Sequence, residues 1–182
     1  MQISLKWINE LVHIENIKLD DLVNKLTLGG FEVEDIIEIQ VNKTKHITLD
    51  ISATANRSDS LSIQGISAEI GALLNIPLNI SNNLHQSEKL KQTILEKAII
   101  LPESKECTTF LAFSIQHLTD KTIPTWIKRK LISSGLTPSN TLADFQSYLL
   151  LETGYPFAFY DLDKIQNKLK RSSNHGRSKQ PL

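Results

Sequence analysis

The 182-residue chain balances 20 Lys and Arg against 20 Asp and Glu, so its formal net charge is zero, and it is 40% hydrophobic and 22% charged. A neutral chain projects no global basic field for nucleic acid, so any contact with RNA has to be local, and no apolar run approaches the roughly 20 residues that cross a bilayer. The single cysteine, Cys107, excludes an intrachain disulfide and a cysteine-rich metal cluster, which fits a reducing compartment.

Taken in order, Ser4 is placed to cap a first short helix in which Leu5, Ile8 and Val12 share a face with Leu11, with Trp7 as a large flanking aromatic. A second helix is expected from about Asp20 to Leu28, burying Leu19, Leu22, Val23 and Leu26 and ended by Gly29-Gly30 through a left-handed glycine. Phe31-Glu32-Val33-Glu34 opens a strand whose glutamates lie on the solvent face, not as an acid–base pair. After a connection over Gln40 to Lys45, Ile47 to Ser52 alternates Ile47, Leu49 and Ile51 with Thr48, Asp50 and Ser52, the pattern of a half-buried strand. Asn56 to Ser62 then reads as a strand-to-helix turn in which Asp59 serves as the helix N-cap and Arg57 decorates a polar loop. In the helix that follows, Ile63, Ile66, Ile70 and Leu73 recur at helical spacing, while Gly65, Ala68 and Ala72 form a small-residue stripe open to another element. Asn75 and Pro77 stop it.

Residues from Ile76 onward lose periodicity and read as a surface connection, after which a second unit begins. Strands are expected at Ala98 to Leu101 and Phe110 to Ile115, then a helix with Pro124 in its first turn and Ile123, Ile127 and Leu131 on one face up to Gly135. A last helix, from about Thr141 to Thr153, is capped by Asn140, buries Leu142, Phe145 and Leu149, and ends at Gly154 and Pro156. Asp161 and Asp163 fit a polar turn, and Arg171 to Lys179 form a basic, apolar-poor tail. The expected fold class is α+β: an N-terminal domain over 1–75, a connector over 76–96, the incomplete start of a second α+β domain over 97–165, and a tail over 166–182. The histidines at 13, 46, 85, 117 and 175 are dispersed without metal-site spacing, and neither a Walker-type phosphate loop nor a justified Ser/His/Asp order is present, so no metal and no catalytic residue is assigned.

The turn Asn56-Arg57-Ser58-Asp59-Ser60-Leu61-Ser62 with Ile63-Gln64-Gly65-Ile66 resembles the beta subunit of bacterial-type phenylalanyl-tRNA synthetase. That family carries an Asn-Arg-Pro-Asp-Cys-Leu-Ser turn before an Ile-x-Gly-Ile helix, so Ser58 and Ser60 are departures. Leu26 to Glu34 is similar to the family's Leu-Thr-x-x-Gly-Leu-Glu-Val-Glu run, and further similarities stand at Cys107 to Phe110, Pro124 to Ile127, Leu151 to Pro156 and Tyr160 to Lys164. The resemblance thus runs from Met1 to about Ile165. Most bacterial members insert an OB-fold between the two N-terminal strands, and the short Gln40 to Lys45 connection cannot hold one. Plastid-encoded members share that lack, which agrees with the Ile-, Leu-, Lys- and Asn-rich composition and with an N-terminus that shows no presequence.

The resemblance implies a non-catalytic subunit, expected to be inactive alone, within an alpha2beta2 ligase that joins phenylalanine to its tRNA using ATP and Mg²⁺. The alpha subunit would hold the adenylate chemistry; the beta subunit would scaffold, bind phenylalanine tRNA and edit. It also implies that the chain is a partial sequence or a truncated product, located in the plastid stroma or, alternatively, in a bacterial cytoplasm. Family editing pockets use an Asn in the last helix and a His in the following run. By alignment on Leu151-Glu152-Thr153-Gly154, these positions are Ser147 and Ala158 here, with Tyr155 where Gln is usual, so a degenerate pocket is expected. The alternative reading is a freestanding tRNA-related binding or trans-editing module.

Overall fold

The apolar–polar alternation that begins at Phe31 continues, in the computed structural model, into an eleven-residue strand β2 (Phe31–Val41), which returns as β3 (Thr44–Ala53). Only Asn42 and Lys43 join them, and both take positive φ, 48° and 67°, the backbone that a two-residue type I′ hairpin requires. The connection is therefore tighter than the Gln40 to Lys45 span that composition suggests. A short strand β1 (Gln2–Ser4) pairs antiparallel with the other edge of β3, with Ile3 opposite Leu49, and gives the sheet order β1-β3-β2.

A register shift between Val33 and Asp35 decides how this sheet is used. Before it, Phe31 and Val33 stand opposite Ala53 and Ile51; after it, Ile37, Ile39 and Val41 stand opposite Thr48, His46 and Thr44. One extra residue in a strand exchanges its two faces. The odd-numbered apolar residues of β2 thus begin on the Leu49–Ile51 face and end on the Thr48–His46 face, so a single strand supplies both sides of the sheet. Ile36 and Ile47 are exposed, which corrects the expectation that Ile47 lies in the core with Leu49 and Ile51.

Five helices complete the described residues: α1 (Leu5–Leu11), α2 (Leu19–Leu28), α3 (Ile63–Leu74), α4 (Thr125–Ser133) and α5 (Leu142–Thr153). Those residues are 1–79, 99–100, 111–112, 115, 122–161 and 164. The expected connector beyond Asn79, Cys107, the histidines at 85, 117 and 175, Asp163 and the tail over 166–182 lie outside them. Packing gathers Met1–Ile80 with Lys121–Ala158 into one compact unit and Ser81–Asp120 with Phe159–Leu182 into another. In the first unit, α4 lies against all three strands, and α5 against α3 and α4. In the second, β4 (Ile99–Ile100) pairs antiparallel with β5 (Leu111–Ala112), within the two strands expected there. The fold is α+β.

Several local expectations need correction. Trp7 is not a flank but a core residue, 2% exposed, because its ring stacks on Tyr148 of α5. Ser4 occupies the N-cap position of α1 but makes no cap hydrogen bond, its hydroxyl being fully buried. The cap of α5 is Thr141, whose hydroxyl accepts from the Ala143 N–H, whereas Asn140 adopts a left-handed backbone, φ 60°. Helix α5 fully buries Asp144 and Tyr148, with Leu142, Phe145 and Leu149 only half-buried. The reason is polar: Asp144 accepts from the N–H groups of Ser139 and Asn140 and from the Ser139 hydroxyl, each at 2.8 Å. Burial pushes its carboxyl up, but these bonds outweigh it and hold Asp144 below the usual carboxylate range. Ala68 and Ala72, expected under another element, are exposed beside a shallow depression that Gly71, Asn75 and Pro77 also line.

Candidate functional site

The turn after β3 is built around Arg57. Thr54 and Asn56 bond side chain to side chain at 2.6 Å, and Ser58–Ser60 form one turn of 3-10 helix. The Arg57 guanidinium lies 5.3 Å from the Phe31 ring centroid and donates to Asp59 at 3.3 Å and to Glu69 on α3. One side chain therefore ties the turn to β2 beneath it and to α3 beside it, combining cation–π attraction with a two-carboxylate ion pair. The hydrogen bond from Arg57 holds the Asp59 carboxyl below the usual carboxylate range. With its planar face on an aromatic ring and its N–H groups directed at two carboxylates, Arg57 acts here as a structural clamp.

Asp59 is consequently not the helix cap. That role belongs to Ser62, whose hydroxyl accepts from the Gly65 N–H at 2.9 Å, the usual N-cap bond to the third helical residue. The sequence expectation failed because four residues with side-chain oxygen, Ser58, Asp59, Ser60 and Ser62, precede the helix, and the basic partner that diverts Asp59 lies two residues away. Gly65 is required for closeness: a Cβ there would stand 2.2 Å from the Asp59 carbonyl oxygen, so the 3-10 turn can fold onto α3 only over a glycine.

Two motifs far apart in sequence meet at this place. Gly154, which ends α5 with φ 78°, approaches Ser62 so closely that a Cβ would lie 3.3 Å from the Ser62 Cβ and 3.8 Å from the Leu61 carbonyl oxygen. The Asn56 to Ser62 turn and the Leu151 to Pro156 loop are thus neighbours. The residues aligned with an editing pocket are placed less closely. Ser147 is half-buried on α5, two helical turns or about 10 Å before Gly154. Tyr155 is 77% exposed and Ala158 is exposed, both in the irregular stretch after the helix.

Sequence reasoning missed Ser62, Glu69 and Lys130. Ser62 carried a signal, a serine directly before an apolar-periodic run. Glu69 carried a weaker one, a carboxylate one turn after Gly65 on the same helix face. Lys130 carried only Trp126 one turn earlier on its own helix, since its other partners come from α1 and α5. Among the described residues no group of three or more His, Cys, Asp or Glu side chains is arranged to hold a metal ion, and no helix is long and apolar enough to cross a membrane.

Comparison with known proteins adds identity to this geometry. Residues 106–180 match the family model of the B3/4 domain. The chain is 56% identical over 170 residues, 93% of its length, to the chloroplastic phenylalanine--tRNA ligase beta subunit of Phaeodactylum tricornutum, of which it covers 24%. It is 37% identical over 185 residues, all of its length, to that of Pyropia yezoensis, covering 25% of the relative. Against the phenylalanine--tRNA ligase beta subunit of Prochlorococcus marinus it is 34% identical over 129 residues, 69% of the chain and 15% of the relative. The chain spans about a quarter of the length of the chloroplastic relatives it matches. With a matching B3/4 domain and relatives aligned along nearly all of its residues, the chain is similar over almost its whole length to phenylalanine--tRNA ligase beta subunits.

Proposed function

We propose that this chain is the N-terminal part of the beta subunit of a plastid phenylalanine--tRNA ligase, the enzyme that attaches phenylalanine to its tRNA using ATP. The observation that carries the reading is the 56% identity to a chloroplastic beta subunit along 93% of the chain. In this proposal the segment is non-catalytic. It scaffolds the complex and contributes to binding phenylalanine tRNA, while an alpha subunit binds ATP, Mg²⁺ and phenylalanine in an alpha2beta2 assembly. The direct test is pyrophosphate exchange: the 182-residue chain alone should show none, and exchange without any alpha subunit would overturn this division of labour.

Editing is proposed to be impaired. Discriminating tyrosine from phenylalanine means recognising one hydroxyl, and Ala158 offers neither donor nor acceptor, while Ser147 reaches less far than an amide. The measurement is deacylation of preformed tyrosyl-tRNA by the assembled enzyme, expected to be slow; fast deacylation that survives Ser147→Ala would sink it.

A further inference from the structure

Three helices converge on one ammonium group. Lys130 Nζ, on α4, lies 4.8 Å from the ring centroid of Trp7 on α1, 5.7 Å from that of Trp126 on α4 and 5.8 Å from that of Tyr148 on α5. Its salt bridge to Glu10 on α1 is 2.7 Å long. The rings also hold each other: Trp7 and Tyr148 are stacked with 3° between their planes and centroids 5.5 Å apart, and Trp126 meets Tyr148 edge-on at 88° and 5.2 Å. A second carboxylate, half-buried Glu152, feels the charges of both Lys130 and Glu10.

Lysine ammonium groups ordinarily keep their hydration, and the Lys130 side chain is only 17% exposed. An ordinary surface ion pair would not need three aromatic rings, and simple apolar packing would not need a cation. Negative ring faces around a cation, with a carboxylate at one side, is the chemistry that recognises alkylammonium ions. We propose that Trp7, Trp126, Tyr148 and Glu10 form an alkylammonium-binding cage whose resident ligand is the chain's own Lys130. Trp126, 49% exposed, marks its opening to solvent. The cage binds the head group and tolerates replacement of the stem, so emptying it of lysine leaves a site for a small external alkylammonium ion.

The chain has two tryptophans and both stand in this cluster, so their emission reports on the cage alone. The full-length Lys130→Ala variant is titrated with methylammonium chloride while emission and thermal melting are followed. The expected result is a saturable emission shift and a rise in melting temperature that sodium chloride at equal ionic strength does not reproduce, both lost when Trp126→Ala is added. Equal responses to the two salts overturn the proposal. Should Lys130→Ala give no cooperative melt, Lys130→Gln, which keeps two of the four stem methylenes and carries no charge, is titrated and judged by the same readouts. The unsubstituted chain, with its site filled, should show no saturable shift, and one as large as the variant's overturns the claim that Lys130 is the occupant.

Discussion

The two faces of β3 are held by different physics. On one, Ile3, Leu49 and Ile51, each at most 2% exposed, join an aliphatic cluster with Ile8, Ile66 and Ile70. On the other, Thr48 and Ser4 are equally buried, yet the contact is polar: the Thr48 hydroxyl donates to the Ser133 carbonyl at the end of α4 at 2.6 Å. His46, two residues along on that face, bonds through Nε2 to the Thr44 hydroxyl at 3.1 Å, while its buried Nδ1 has no hydrogen-bond partner among the described residues. The first face is non-directional and tolerates small shifts. The second fixes α4 at one position along the sheet, because a hydrogen bond has a direction and burial makes its loss costly.

The largest expected effect lies on the aliphatic face. Leu49→Ala removes buried methyl groups and leaves a cavity, and chemical denaturation should show a loss of about 2–5 kcal/mol. A loss close to zero would mean that this face is not the main core. Thr48→Val keeps the shape and deletes the hydroxyl, which should cost about 1–3 kcal/mol by leaving the Ser133 carbonyl without its buried donor. A neutral Thr48→Val would erase the contrast between the faces.

A smaller effect tests the entry to α3, which carries Ile63, Ile66 and Ile70 into the aliphatic cluster. Ser62→Ala should lower stability by about 0.5–2 kcal/mol, the usual range for a lost N-cap. Asp59→Ala, which removes an exposed partner of Arg57 and no cap, should move the melting temperature less than Ser62→Ala does. The reverse order would make Asp59, and not Ser62, the cap.

The smallest effect concerns pH and belongs to the polar face. Burial, with the nearby Lys6 charge, lowers the His46 pKa from its ordinary 6.5. The folded chain then binds fewer protons than the unfolded chain between the two values, so acidification favours unfolding. Stability from this group is fully present above about 6.5, is lost as pH falls through the lower folded value, and changes no further below it. Melting curves across that window should show the loss in the unsubstituted chain and its reduction in His46→Gln. An identical pH dependence in the two would show that His46 is not held neutral by the fold.

How much of this was legible beforehand differs by element. Helix α4 was read well, with Ile123, Ile127 and Leu131 buried as their spacing implied, because a stripe at helical period leaves few other ways to bury it. The end of α3 at Asn75, in the left-handed backbone with φ 54°, was equally plain. Of the candidate site, sequence indicated the turn but neither the clamp that Arg57 makes with Glu69 nor the correct cap, since Asp59 and Ser62 both offer oxygen acceptors and only geometry selects between them.

By itself the sequence determined the type and order of most elements, helices above all, and the ordered motifs that mark the beta-subunit family, all of which rest on neighbours within a few residues; strand β1 and the two-residue turn at Asn42–Lys43 came from the structure. The tertiary structure alone decided that a bulge at Val33–Asp35 splits β2 between two faces, that Thr48 is a buried donor and not a solvent-facing residue, and that Trp7, Lys130 and Tyr148 form one cluster. Each of these depends on partners separated by tens of residues. Periodicity reports which side of an element is apolar, but not what arrives to cover the side that is polar.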